Sequence, residues 1–203
     1  MATTKRKRLA TYRYYGPNES SRERFTSIDD ETALWAARMC VGEGGEKCSK
    51  DKAAAMLWAL ANRWFLHPAS SRYWPSYLYL MRRFSQPINP RWQEGGDLAR
   101  KYAGKKAGSP ARLKRREHIS SLTWEQIPEQ IAEVVLAFQS GTLPPPAILL
   151  DMDRPRISNW ASHNGLDKKY PWGIDFSKEW FFEDVRLIKG SVIVDYWDSV
   201  SAG

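Results

Sequence analysis

Apolar residues recur at helical spacing after residue 28 and predict two successive helices. In the first, Leu34 and Val41 fall on one face and either Asp29 or Asp30 can cap the start, so we expect a helix over residues 30–42. The second is predicted over residues 50–66, with Ser49 as its cap and Pro68 just beyond its end. Its apolar stripe consists of Ala53, Leu57, Leu60, Ala61 and Trp64.

The next segment changes from helix to loop. Residues 76–84 predict a shorter helix, SYLYLMRRF. Pro87 and Pro90 then exclude both a regular helix and a central strand, so a fixed, extended loop is expected there. Residues 93–118 are rich in Gly, Lys and Arg and predict a mobile basic loop.

One more helix is predicted before the pattern changes. Thr123 and Gln126 have the spacing of a capping box, and the helix they open runs to about Gln139, where Gly141 can close it. Its apolar face consists of Ile131, Val134, Val135 and Phe138, at i, i+3, i+4 and i+7.

Strand patterns appear only late in the chain. The runs AILLDM and RLIKGSVIVDYW, at residues 147–152 and 186–197, read as short strands. The segment between them, residues 154–184, is aromatic and irregular. The elements together predict an α+β fold that is mainly α, with a small late β element.

The domain organisation follows from these patterns and from the charge. Residues 1–28 are polar and basic and are expected to form an extended arm. Residues 29–203 are expected to form a single domain, with the basic loop at about 93–118 and a C-terminal β and aromatic segment from about 147.

The net charge of +8 is concentrated in two places. Residues 1–24 hold seven Lys and Arg against two Glu, and residues 97–118 hold eight against one Asp and one Glu. A polyanionic partner is therefore plausible, although a solvated basic face accounts for such clusters equally well. The chain also has 10 Trp, and such rings build cores or form stacking platforms for sugars and bases.

Glu43 is the strongest candidate for chemistry. It lies in VGEGGE, where the first apolar helix stops. A carboxylate at the end of an apolar helix is partly desolvated, which raises its pKa and suits a general acid near neutral pH. The alternative is that Gly44 and Gly45 simply end the helix and leave Glu43 in solvent.

Other kinds of site find little support in the sequence. GEGGE lacks the Lys-Ser/Thr pair of a phosphate-binding loop, and the three His residues have no metal-ligand spacing, so no metal and no cofactor are expected. A nucleophilic pair of Cys40 with His163 stays open, but a thiol inside an apolar helix is usually structural. Cys40 and Cys48 flank Glu43, so they are either bridged or two free thiols.

Three runs carry a resemblance to a known family. ALWAARMCVGEGGE, then AAAMLWALANRW, then RRFSQPINPRW resemble the lysozyme-like cell-wall hydrolases, in particular the spore-cortex type and the phage or secretion-system lytic transglycosylases. The later WEQIPEQIAEVVLAFQSGTLPPP is similar to the helix and proline turn that follow the catalytic half of these domains. The resemblance covers about residues 30–150 and implies a lysozyme-like helical domain.

The resemblance also implies roles for individual residues. Glu43 would be the catalytic acid, and Ser85 and Gln86 would contact the saccharide. Asn62 would orient Glu43 or hold the loop. Tyr77 and Trp92 are candidates for stacking on sugars; for both aromatic rings, core packing is the alternative.

The implied reaction is cleavage of the MurNAc-GlcNAc β-1,4 linkage in peptidoglycan. A hydrolase with two carboxylates needs a second acid about 5–5.5 Å away, or further for inversion, and Glu46 and Asp51 are poor candidates. A lytic transglycosylase needs one acid, which protonates the glycosidic oxygen and then acts as a base while the muramic acid 6-hydroxyl closes the ring. The sequence therefore favours the lytic reaction with Glu43 alone.

Location and partners follow from the same resemblance. Peptidoglycan strands are the expected partner, and the basic arm could also bind other virion proteins. No signal peptide and no membrane span are expected, so a phage enzyme carried in the virion or released to the periplasm and cell wall fits best. The alternative is a non-catalytic virion structural or nucleic-acid-binding protein that uses the basic arm and the aromatic residues.

Overall fold

The computed structural model describes residues 11–15, 22–25, 28–66, 76–143, 159–161, 165–169, 174–176, 178–182 and 192–198. The helices are α1 Asp30–Gly44, α2 Lys50–Leu66, α3 Tyr77–Phe84, α4 Asp97–Lys101, α5 Pro110–Ser121, α6 Glu129–Ser140 and α7 Leu166–Lys169. Short 3-10 turns cover Gln86–Ile88, Pro90–Trp92 and Trp124–Gln126. The strands are β1 Thr11–Tyr15, β2 Arg22–Phe25, β3 Asn159–Ala161, β4 Ile174–Phe176, β5 Glu179–Phe182 and β6 Val192–Asp198. The prediction of a mainly helical α+β fold with a small late sheet is confirmed.

The first three predicted helices are confirmed, and local capping explains both ends of α1. Asp29 caps α1, because its Oδ1 accepts a hydrogen bond from the Thr32 backbone N–H at 2.8 Å. The helix ends where Gly45 takes a φ of +75° and donates its N–H to the Val41 carbonyl. It is thus two residues longer than predicted, and Glu43 lies in its last turn.

The hydrophobic core lies between α1, α2 and α6. The α6 face predicted from sequence is buried as a whole, and Gly141 closes the helix in the left-handed region with a φ of +74°. Thr123 and Gln126 cap the preceding 3-10 turn rather than α6, since Pro128 separates the two. The largest fully buried side chains include Met39, Met56, Leu57, Leu60, Ile131, Val135 and Phe138.

The prediction of a loop over residues 93–118 is wrong for most of that segment. Residues 97–101 form α4 and residues 110–121 form α5. Pro110 at the first turn of α5 has a fixed φ that suits a helix start, and Ile119 is buried against the body. The helix packs on α1 and on the turn Gln86–Ile88, so the basic segment forms one wall of the domain.

The aromatic segment predicted to be irregular contains a sheet. Strands β3, β5 and β4 pair antiparallel in that order. Trp160 of β3 joins this sheet to the helices, because its ring lies 5.3 Å from that of Phe84 and 6.3 Å from that of Phe181. The sheet therefore lies directly beside the end of α3.

A second sheet joins the two ends of the chain. Its antiparallel order is β2-β1-β6, so two parts of the segment predicted as an extended arm are paired strands. Strand β6 agrees with the strand predicted near residues 186–197, while AILLDM lies outside the described residues. Within the described parts of the chain, no helix combines the length and apolarity needed to span a membrane.

Candidate functional site

Glu43 and Ser85 are in direct contact at the centre of the site. Ser85 follows α3 and donates its Oγ hydrogen to Glu43 Oε1 at 2.7 Å. Only 1% of Ser85 is exposed, so water does not compete for this bond. The backbone amide of Gln86 is also near the Glu43 carboxylate and lowers its pKa. The turn after α3 thus binds the end of α1 through one carboxylate.

The surroundings of Glu43 favour its protonated form. Burial raises the pKa of its carboxyl group and is the largest effect. The hydrogen bond from Ser85, the charge of Lys52 and the Gln86 amide act in the opposite direction, while the charge of Glu179 raises the pKa further. The net result is a pKa above the ordinary glutamate value, which is the property needed by a general acid near neutral pH.

The small residue before Glu43 has a packing role. A Cβ on Gly42 would lie 2.4 Å from Pro87 Cβ, a distance that no real contact allows. Gly42 therefore lets the turn Gln86–Ile88 approach α1 closely enough for Ser85 to reach Glu43. Of the other glycines in VGEGGE, Gly45 ends the helix, and a Cβ on Gly44 would lie 2.3 Å from Cys48 Sγ.

Two open cavities meet at Glu43 and Gln86, and we call them together the groove. The first, of about 430 Å³, is bordered by the turn Gln86–Ile88 and by α5; we call it the arginine end. Its other lining residues are Gly42, Pro87, Arg112, Arg115, Arg116 and Ile119. The second, of about 310 Å³, is the sheet end. It is lined further by Phe84, Asn159, Trp160, Ala161 and Glu179.

A second carboxylate lies in the groove. Glu179 of β5 lines the sheet end and forms an ion pair with Lys52 of α2. The distance from Lys52 Nζ to Glu179 Oε1 is 3.3 Å. The two side chains, Lys52 and Glu179, are only 11% and 20% exposed. This pair ties the late sheet to α2 and places one positive and one negative charge near Glu43.

The structure brings together only part of the predicted site. Ser85 and Gln86 lie at Glu43 as expected. Asn62 lies in α2, but its side chain is outside the described residues. The stacking role of Tyr77 is wrong, because only 3% of the residue is exposed and its hydroxyl donates to the Leu57 carbonyl inside the core.

Trp92 does not line the groove at either end. Its ring packs 5.2 Å from that of Tyr102, and the Arg116 guanidinium lies 4.7 Å from its ring centre. Its carbonyl accepts a hydrogen bond from Arg116 Nη1 at 3.3 Å. Trp92 therefore supports Arg116, and the expectation that it contacts substrate in the groove is not met.

Cys40 and Cys48 are free thiols, and both are buried. Burial raises the pKa of the Cys40 thiol well above its ordinary value, which disfavours the thiolate needed for nucleophilic attack. His163, its possible partner, lies outside the described residues. No cluster of three or more His, Cys, Asp or Glu side chains that could hold a metal ion occurs in the described part of the chain.

The groove residues of α5 and β5 were not predicted from the sequence. A signal for α5 existed: Ser109-Pro110 marks a helix start, and Arg112, Arg115 and Ile119 then follow at helical spacing on one face. No comparable signal marks Glu179, which lies 136 positions after Glu43 in an aromatic segment.

Comparison with protein-family models, with curated proteins and with solved structures found no match to this chain.

Proposed function

We propose that the protein cleaves the MurNAc-GlcNAc β-1,4 linkage of peptidoglycan, with Glu43 as general acid and base. The observation that carries the proposal is the position of Glu43 in the middle of an open groove, with Ser85 Oγ at 2.7 Å and a raised pKa. A carboxyl group with a raised pKa that lies in an open groove fits proton transfer to a glycosidic oxygen. The resemblance of the sequence to cell-wall hydrolases supplies the substrate class.

Proton transfer begins the reaction. Glu43 protonates the oxygen between the two sugars, the bond to muramic acid C1 breaks, and the ionised carboxylate is stabilised by the hydrogen bond from Ser85 and by the nearby Gln86 amide. The acetamido group of the substrate stabilises the developing cation. Glu43 then removes the proton from the muramic acid 6-hydroxyl, which closes a 1,6-anhydro ring and restores the starting enzyme.

Glu179 bears on the choice between lytic and hydrolytic cleavage. The preference for a lytic transglycosylase rested on the lack of a second acid, and Glu179 is a second carboxylate in the same groove. Its ion pair with Lys52 engages one of its oxygens and ties the side chain to α2. We therefore retain the lytic reaction as the proposal and treat water attack assisted by Glu179 as the outcome to be distinguished.

The proposed setting is the bacterial wall, reached from a virion or from inside the cell at lysis. The resemblance to phage-associated enzymes and the basic residues support this setting, since the wall carries carboxylates and anionic polymers. Detection of the chain in purified phage particles by mass spectrometry would place it in the virion.

The test is digestion of purified peptidoglycan by the wild type and by Glu43→Gln. Glu46→Gln is the matched control, because Glu46 lies three positions away and is exposed. We expect loss of activity only in Glu43→Gln, and mass spectrometry should find 1,6-anhydromuramoyl ends in the wild-type products. Reducing ends would indicate hydrolysis instead. Equal activity of Glu43→Gln, or no cleavage by the wild type, would leave a non-catalytic binding role.

A further inference from the structure

Three arginine side chains of α5 converge on one end of the groove. Arg112, Arg115 and Arg116 line the same cavity as Glu43 and Gln86. Positions three and four apart lie on one face of a helix, so the sequence spacing explains why all three point to one cavity. Lys114 of the same helix does not line it.

Two of these arginines are held in place by backbone carbonyls. Arg115 Nη2 donates to the Gly42 carbonyl at 3.4 Å, one residue before Glu43. Arg116 is only 4% exposed, donates to the Trp92 carbonyl at 3.3 Å and lies over the Trp92 ring. A buried guanidinium fixed in this way is a preorganised positive charge.

These charges are not neutralised within the described parts of the chain, where no carboxylate lies within ion-pair distance of Arg112, Arg115 or Arg116. The contrast with Arg91 is clear, since its guanidinium pairs with Asp97 at 2.5 Å. Burial, and after it the like charge of Arg112, lower the pKa of Arg116. Repulsion between neighbouring guanidinium groups is relieved by an anion bound between them.

The two ends of the groove differ in charge. The arginine end presents three guanidinium groups, whereas the sheet end presents an aromatic wall and Glu179, whose charge is paired with Lys52 of α2. A substrate that is neutral on one side of the reacting bond and anionic on the other matches this arrangement. Peptidoglycan has this asymmetry at each muramic acid, because the stem peptide attached there carries carboxylates and the adjoining glucosamine carries none.

We propose that Arg112 and Arg115, backed by Arg116, form a subsite for a carboxylate of the stem peptide on the muramic acid that is cleaved. The inference rests on the proposed function and deepens it, because it makes peptide-bearing glycan the preferred substrate. Arginine suits this task, since its planar fork binds a carboxylate through two hydrogen bonds. The subsite adjoins Glu43, so a bound stem peptide would position the neighbouring sugar for proton transfer.

The experiment compares cleavage of intact peptidoglycan with cleavage of the same wall after its carboxylates have been converted to amides with carbodiimide and ammonia. The wild type, the double variant Arg112→Gln/Arg115→Gln and the double variant Lys106→Gln/Lys114→Gln are assayed on both. The lysine pair removes the same charge from positions outside the groove. Arg112→Gln alone serves if the arginine double variant does not fold, because Arg112 is exposed.

We expect the wild type to cleave the intact wall about tenfold faster or more than the amidated wall, as the loss of one charge-assisted contact implies. The ratio should fall to about one in the arginine variant and stay near the wild-type value in the lysine variant. A ratio of one in the wild type, or an equal loss in the lysine variant, overturns the subsite.

Two further comparisons identify the anion and separate failure of the subsite from failure of the proposed function. A wall treated with hydrofluoric acid loses its phosphate polymers but keeps its stem peptides, and we expect its cleavage to be unchanged; a tenfold loss there would assign the subsite to phosphate and overturn the stem-peptide inference. Equal cleavage of intact and amidated walls refutes the subsite while leaving the proposed function intact. Absence of cleavage products from every wall refutes the proposed function and the subsite with it.

Discussion

The hydrogen bond between Ser85 and Glu43 allows a quantitative test of the site. Ser85→Ala removes the donor that lies 2.7 Å from Glu43 Oε1, at a position where water has little access. A hydrogen bond to a charged group contributes about 1.5–3 kcal/mol. The Gln86 amide and Lys52 still stabilise the carboxylate in the variant, so we take the low end of this energy range. A free-energy change of about 1.4 kcal/mol corresponds to a pKa change of one unit. The titration midpoint of Glu43 should therefore rise by about one pH unit.

The assay is a carboxyl ¹³C NMR titration of protein labelled at glutamate. The Glu43 signal is identified by its loss in Glu43→Gln, and no activity is needed for the measurement. If Glu43 is also the general acid, the alkaline limb of the pH-rate profile should move upward with the midpoint, because the acid stays protonated to higher pH. The two measurements together connect the contact to the reaction.

The control is Ser121→Ala, which removes an exposed hydroxyl that donates to the His118 carbonyl. Its effect on the Glu43 midpoint should be negligible. A midpoint in Ser85→Ala that is equal to or below the wild-type value would refute the reasoning, since it would mean that Ser85 does not stabilise the ionised carboxylate.

Three other predictions concern the surroundings of Glu43. Burial raises the folded-state pKa of Glu43, so its ionisation destabilises the fold as the pH rises through that pKa. The melting temperature of Glu43→Gln should therefore be higher than that of the wild type at about pH 8 and equal to it below about pH 4. Gly42→Ala places a Cβ 2.4 Å from Pro87 Cβ and should lower the free energy of unfolding by about 1–3 kcal/mol, measured by denaturant titration. Lys52→Met should raise the NMR midpoint of Glu43 and Glu179→Gln should lower it, because the two charges act on it in opposite directions.

Each of these predictions has a result that contradicts it. A melting temperature of Glu43→Gln that is lower than that of the wild type at pH 8 would mean that the ionised carboxylate stabilises the fold. An unchanged denaturation midpoint in Gly42→Ala would show that the approach of Pro87 is not tight. Midpoints that move in the same direction in Lys52→Met and Glu179→Gln would contradict the charge arrangement. Lys50→Met, which removes an exposed ion pair with Glu133, is the control for Lys52→Met.

The helices that the sequence predicted correctly are those whose signals are local. Asp29 marks the start of α1 and Gly141 the end of α6, and in each case a single residue supplies the hydrogen bond or the backbone conformation that the helix terminus needs. The sequence also placed Glu43 beside the end of α1, although the helix runs two residues further than predicted and includes it. Sequence alone was sufficient for these features because their partners lie within a few residues.

The error at α5 shows where local reasoning failed. A run of Gly, Lys and Arg has a composition typical of a loop, and the loop was predicted from that composition without the helix-start signal at Pro110. The helix is stabilised by packing on α1, which depends on residues about 70 positions earlier in the chain. Because of this packing, the basic helix α5 forms one wall of the groove.

The amino-acid sequence was enough to establish the helical character of the protein, the end of α1 and Glu43 as the leading candidate. The tertiary structure was needed to establish what surrounds that carboxylate: Ser85 from 42 positions away, Glu179 from the late sheet and the arginines of α5. The difference arises because burial and charge at a point in space depend on every segment that packs there. A carboxyl pKa is set by that environment and not by neighbours in sequence.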